Sequence, residues 1–449
     1  MLATASTQAM VCVDATLESR HVPKADFAEP SAGHRRCSLF LAMLPRRCTG
    51  TAAVCTLITI LAALSAVVSF SGRGNNHAHS QHVATIQHQQ PAALDERALN
   101  SVVGANESAA TVPSSGISAQ TVAQFFSSGG KINAFVFAGR RRYLRILWPY
   151  LLRDKRNGTQ GVLHQVLFVA NTDDADDLDW LSTVEEQYPN FVEVIHRARV
   201  VHQGQNNYEY CSIFAGLKAD LLGSDRRPGS TLLLKLDDDI VYIAPGALEK
   251  LAAAKLEHPQ ALFVSGNVVN HPLLAHVHQR TMLLSQTDVD AMVQAEIDVQ
   301  NKDFLPDKWQ FGYGTFNHEN WGSWQHALLQ HMLLVHRIRT LGHNETSSAY
   351  NAFRVWDFDS VGYGTGRWSI NAFAFWPDID LDSFDVDVCR KTDDEEYITN
   401  VLPGVVGRHC IATGDALFSH FAYYPQREGL ETTHMLARYQ ALAEEVARK

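Results

Sequence analysis

The sequence predicts an α/β fold, a mainly parallel sheet flanked by helices, and three observations carry that expectation. Apolar runs of strand length alternate with runs of helical period across residues 131–270. Such alternation implies parallel strands joined by right-handed crossovers. An apolar stretch in residues 231–243 is bounded by Arg227-Pro228-Gly229 and Pro245-Gly246 and holds three consecutive carboxylates, Asp237, Asp238 and Asp239. Ligands of open α/β sheets bind outside the carboxyl ends of the strands, so these acids mark the candidate site.

In chain order, residues 1–48 show no sustained period and read as a disordered cytosolic tail. Residues 49–70 carry no charged side chain and have the length of a membrane-spanning helix. Arg35, Arg36, Arg46 and Arg47 precede them, and Arg73 is the nearest cation after. The positive-inside rule then puts the amino terminus in the cytosol and the bulk of the chain in the lumen, as a single-pass type II protein. A buried core helix and a targeting peptide cleaved near Phe70 are the alternatives. Residues 71–128, rich in His, Gln, Ser, Ala and Asn, read as a flexible stem. Its His77, His79, His82 and His88 offer a transition-metal site as the other reading.

Sequons at Asn106, Asn157 and Asn344 fit a lumenal chain. Of seven cysteines only Cys211, Cys389 and Cys410 are lumenal in this topology, and Cys389 with Cys410 is the expected disulfide. The net charge of −10, without a long basic run, argues against a nucleic-acid partner.

The folded domain is expected over residues 129–449. A strand at 132–138 leads through Gly139-Arg140-Arg141-Arg142 into a helix at 143–153, with apolar Leu144, Leu147, Tyr150 and Leu151. A strand, a glycine turn and a helix start form an anion site, although a solvated basic helix start reads the same way. A second strand, 162–170, ends in Asn171-Thr172-Asp173-Asp174, acids that cap the following helix or meet a nucleotide. A third strand at 191–195 and a helix at 208–222 precede the acidic motif; a helix at 247–256, a strand at 261–270 and a helix at 282–299 follow it. Residues 301–324 are aromatic without helical period, with Trp309, Phe311, Tyr313, Phe316, Trp321 and Trp324, and suit either sugar stacking or core packing. Residues 367–376 form a second aromatic stretch, and 431–448 a closing helix.

Adjacent like charges repel, and burying them is costly without compensation. A divalent cation is the simplest compensation, and an extended chain points Asp237 and Asp239 the same way to grip it. The spacing and the missing central glycine exclude an EF-hand.

Lys235-Leu236-Asp237-Asp238-Asp239-Ile240-Val241 resembles the Asp-x-Asp region of nucleotide-sugar glycosyltransferases with the GT-A fold. Its Lys-x-Asp-Asp-Asp-aliphatic form is similar to that of β-1,3-galactosyltransferase and fringe-like enzymes. The resemblance implies a Rossmann-like GT-A domain and Mn²⁺ or Mg²⁺ on Asp237 and Asp239, with His420 as the late histidine ligand. It implies nucleotide-sugar contacts from Gly139, Arg140, Arg141, Asn171, Asp173 and Asp238, the last toward ribose or sugar. Trp321, Trp368 and Asn371 are the acceptor-side candidates. Within Asp393-Asp394-Glu395-Glu396-Tyr397, aligning Tyr397 with the family's aromatic makes Glu395 the acceptor base of an inverting enzyme and Asp394 the second choice, while an acidic helix amino terminus reads the same residues equally well. The run has four acids where the family has a pair, and it lies unusually far beyond Asp239, which points to an insertion over residues 271–353.

The implied protein is a Golgi or endoplasmic-reticulum membrane transferase of hexosyl or N-acetylhexosaminyl type. It would use a UDP-sugar or related donor and a glycan, glycoprotein or glycolipid acceptor. The two rivals are a metal-dependent phosphoryl-transfer or hydrolase domain and a catalytically silent glycan-binding or scaffold module.

Overall fold

The computed structural model describes residues 115–196, 200–202, 205–207, 210–222, 228–281, 322–351, 355–357 and 368–448. The expected tail, the 49–70 segment, most of the stem with Asn106, the helix at 282–299 and the stretch 301–321 lie outside the described residues. Among the described residues no helix is long and apolar enough to cross a membrane.

The strands are β1 (Lys131–Ala138), β2 (Gln165–Ala170), β3 (Val192–His196), β4 (Val200–His202), β5 (Gln205–Asn207), β6 (Thr231–Asp237), β7 (Ile240–Ile243), β8 (Val264–Val269), β9 (Val355–Asp357), β10 (Ala372–Phe375) and β11 (Ile411–His420). The helices are α1 (Ser115–Ser127), α2 (Arg141–Arg153), α3 (Ala175–Gln187), α4 (Tyr210–Leu222), α5 (Ala247–Glu257), α6 (Pro272–Thr281), α7 (Trp324–Leu341) and α8 (His343–Tyr350). They continue as α9 (Val386–Thr392), α10 (Asp394–Glu396), a π-helical turn (Tyr397–Val401), α11 (Leu402–Val406), α12 (Tyr424–Glu431) and α13 (Met435–Ala447).

The protein is a mixed α/β structure whose main sheet runs β3-β2-β1-β6-β10-β8-β11-β7, with β9 on β11, while β4 and β5 pair separately. β1, β2, β3, β6, β8 and β11 all point one way. The expectation of a mainly parallel sheet needs correction in its middle. β10 enters antiparallel between β6 and β8, and β7 and β9 run antiparallel on β11. A strand that returns from a long excursion is free of the crossover rule that keeps βαβ units parallel.

The sheet is curled, and the chain shows why. β6 and β7 are joined only by Asp238 and Asp239, yet β10, β8 and β11 separate them along the sheet. Three Cα steps of 3.8 Å reach about 11 Å. Four strand spacings in a flat sheet would need about 19 Å. Curling closes the gap and carries the carboxyl end of β11 to the carboxyl end of β6, so His420 pairs with Ile240.

Both faces are buried, which is why the strands read as nearly continuous apolar runs. Ile132, Ala134 and Val136 of β1 and Leu232, Leu234 and Leu236 of β6 join one core with α2, α5, α7 and α13. Phe135, Phe137 and Leu233 join the other with α4, α9 and α11. Alternation places Lys235 on this second face, its ammonium 5.5 Å from the Phe137 ring and 5.8 Å from that of Phe373.

Two further expectations change. Residues 115–127, read as stem, form α1, which packs against α5. Val122 is buried, and the Phe125 ring lies 5.5 Å from that of Trp376. The Ala-, Ser- and Gln-rich composition hid this apolar face. The disulfide is Cys211–Cys389, not Cys389–Cys410; the side-by-side packing of α4 and α9 sets their Cα atoms 5.8 Å apart, and Cys410 keeps a buried thiol. The sequon residues Asn157 and Asn344 are both exposed.

The disulfide closes a loop spanning 178 positions. Cys211→Ser is expected to lower unfolding stability by about 2–5 kcal/mol in denaturant titration. In the oxidised protein, Cys410 should react with a maleimide only after unfolding.

Candidate metal centre

The site is assembled where β6 ends. Asp237 is the last residue of β6, and Asp238 and Asp239 form the turn before β7. It is this turn, rather than alternation along one extended strand, that brings Asp237 and Asp239 together. His420, the last residue of β11, joins them, and ligand atoms of Asp237, Asp239 and His420 lie within 4.8 Å of one another. The His420 Nε2 is 3.1 Å from Asp239 Oδ1 and 3.9 Å from Asp237 Oδ2. The backbone ties the two segments as well, the Phe421 N–H donating to the Asp239 carbonyl at 2.8 Å.

Two cations meet the three acids. Lys235, only 2% exposed, bonds Asp237 Oδ1 and the Ile370 carbonyl. Arg140 grips both oxygens of Asp238 and approaches Asp239 Oδ2 at 3.0 Å. Although burial works the other way, His420 and then Arg140 hold the Asp239 carboxyl below the usual carboxylate range. Neither Asp239 oxygen has a well-aligned hydrogen bond despite these close cations. Two buried, poorly saturated carboxylate oxygens beside an imidazole nitrogen are a donor set that fits a hard divalent ion.

The expected nucleotide residues gather at the same sheet edge, with altered roles. The Gly139 N–H donates to Asp238 Oδ2 at 3.1 Å. A Cβ at Gly139 would lie 2.9 Å from the Asn171 carbonyl oxygen, so the close approach of two turns demands glycine. Asn171 donates to the Tyr210 hydroxyl at 2.8 Å, and Asp173 is exposed. Arg141 turns to α3, pairing with Asp176 at 3.3 Å while its N–H donates to Asp177. Asp174 caps that helix by accepting from the Asp177 N–H at 3.0 Å.

Of the acceptor candidates, Trp321 lies outside the described residues. Trp368 is no exposed platform: it is 3% exposed, and its indole N–H donates to Ser265 at 3.1 Å. Asn371, also 3% exposed, donates to Asp237 Oδ2 at 3.0 Å and accepts from the Tyr423 hydroxyl at 2.9 Å. It orients a metal-ligand candidate. The strand approach 368–371 thus links the two acidic groups, since Ile370 offers its carbonyl to Lys235 and its N–H to Glu395 Oε1 at 3.2 Å.

Asp394 and Glu395 open α10. Burial pushes the Asp394 carboxyl up to about 7; Lys235 opposes the shift, and Glu395, Asp393 and Asp237 add to it. Lys235 has no role in the motif read from sequence, although a lone cation inside an apolar strand signals a buried partner. Tyr423, Asn270 and His331 carried no local signal of their own.

The chain matches no family model and no curated protein.

Asp394 has its folded pKa raised above the ordinary 3.8. Below about 4 the acid is protonated folded or unfolded and costs nothing; as pH rises toward 7 the unfolded state ionises first and stability falls. In EDTA, Asp394→Asn should therefore raise stability at pH 8, by on the order of 1 kcal/mol, with the gain vanishing near pH 4. Thermal unfolding of both proteins across that range measures it.

Proposed function

We propose that the protein is a metal-dependent glycosyltransferase with a GT-A-like domain, anchored as a type II protein in the Golgi or endoplasmic-reticulum membrane. It would move a hexosyl or N-acetylhexosaminyl group from a nucleotide sugar, a UDP-sugar first among them, to a glycan or glycoconjugate. The observation that carries this reading is the convergence of Asp237, Asp239 and His420 beside a second acidic pair, at the edge where the parallel strands end.

Asp237, Asp239 and His420 would hold Mn²⁺ or Mg²⁺, which when bound neutralises the departing nucleotide diphosphate. The other work falls to the chain. Lys235 and Asn371 fix the Asp237 carboxylate between an ammonium and an amide. Arg140 keeps Asp238 engaged and closes the turn against β1, leaving Asp239 turned toward His420. Glu395, whose Oε1 accepts from the Ile370 N–H, would take the proton of an acceptor hydroxyl if the transfer inverts; Asp394, with its carboxyl near 7, is the second base candidate.

One observation favours the silent binding module. Arg140 and Lys235 already balance much of the acidic charge, as they would in a site that never takes an ion.

The test incubates the purified protein with nucleotide sugars and Mn²⁺ and follows nucleotide diphosphate release. Release with one donor should fall by about 100-fold or more with EDTA or Asp237→Ala. Glu395→Gln should reduce transfer by about 10²- to 10⁴-fold while donor binding survives. No metal-dependent nucleotide binding across the panel would overturn the transferase and leave the silent module.

A further inference from the structure

Behind the metal centre lies a buried polar network that the proposed chemistry does not use. Its hub is Asn270, the residue after β8, 2% exposed and held at φ 66°. That left-handed conformation is uncommon for a residue other than glycine, although asparagine tolerates it better than most. Gln330 of α7 accepts the Asn270 N–H at 2.9 Å and so holds this backbone. The Asn270 side chain donates to the Phe421 carbonyl at 3.0 Å and to Gln426 Oε1 at 2.8 Å, while Gln426 Nε2 returns a bond of 3.2 Å to Asn270 Oδ1.

The Phe421 carbonyl has a second donor. His331 Nε2, on α7, lies 2.8 Å from it, and His331 Nδ1 lies 2.8 Å from the Tyr439 hydroxyl. A carbonyl only accepts, so Nε2 carries the proton and Nδ1 accepts from the tyrosine. Burial lowers the His331 pKa to about 4 and keeps the ring neutral in this arrangement.

Asn270 and His331 converge on the residue that follows His420. The N–H of Phe421 holds the Asp239 carbonyl, and its own carbonyl is held by Asn270 and His331. The network also reaches the remaining ligand candidate. Gln426 Oε1 accepts from the Tyr423 N–H at 3.0 Å, and the Tyr423 hydroxyl bonds Asn371, which bonds Asp237.

We propose that Asn270, Gln330 and His331 are positioning residues that set the His420 and Asp239 donor atoms for a divalent cation through the backbone of Phe421. This rests on the metal-site reading above. Shells of this kind fix ligand orientation, and their loss typically weakens metal affinity by about 10- to 100-fold. The segment 271–353, expected as an insertion, thereby contributes Gln330 and His331 to the order of the site.

Asn270→Gly makes the test, because glycine adopts φ 66° without steric strain and takes away the side-chain amide. Mn²⁺ affinity is measured on the whole protein by titration calorimetry and by the electron paramagnetic resonance of bound Mn²⁺, with thermal unfolding recorded in EDTA. The expected result is a melting temperature in EDTA within a few degrees of wild type, a Kd for Mn²⁺ raised by about tenfold or more, and an altered Mn²⁺ line shape. Gln330→Ala, which leaves every ligand candidate in place, should act in the same direction. Unchanged affinity and line shape in folded variants would overturn the inference and leave the metal site standing. Loss of fold in both variants would also overturn it, making the network a folding element. If wild type itself binds no Mn²⁺, the metal-site reading falls and the inference with it.

Discussion

Charge compensation at the β6–β7 turn is the constraint on which the rest of the site depends. Asp238 and Asp239 are buried and Asp237 partly so, and no fold keeps such a trio without cations close by. Lys235 meets Asp237, Arg140 meets Asp238 and Asp239, and the His420 imidazole lies against Asp239; they come from β6 itself, from the turn after β1 and from the end of β11. Three distant parts of the chain are therefore bound to one point by electrostatics. The curl of the sheet provides the geometry that this binding needs.

Much of the frame was legible because both faces of the sheet are covered. Strands such as β1 and β6 then show long apolar runs, and α2 shows its buried stripe of Leu144, Leu147 and Leu151. The carboxylate motif was legible for the same reason, since charge stands out against a buried strand. The end of β11 was legible as an apolar run that stops at a single histidine.

What stayed hidden depended on distant partners. The antiparallel entry of β10 follows from its return after a long excursion, and nothing within Ala372–Phe375 records its direction. The Cys211–Cys389 pairing reflects the packing of α4 on α9, which spacing cannot express. Trp368 and Asn371 were read by residue type as acceptor contacts; burial turned one into core and the other into a support for Asp237. Asn270 and His331 are ordinary letters in the sequence, and only the fold reveals that one carbonyl receives both.

The position of β11 in the sheet has a consequence for biosynthesis. It lies between β8 and β7, and His420 is its final residue, so the strand that completes the centre is made after every other strand of the sheet. Domains tend to fold as units as the chain emerges, earlier segments first. Until β11 docks, the β8 and β7 edges lack their partner and Asp239 lacks its histidine. A nascent chain, or one cut short before residue 411, thus exposes open strand edges beside acids that lack the imidazole. Assembly of the Asp237, Asp239 and His420 cluster doubles as a marker that synthesis of the domain has run through its late strand.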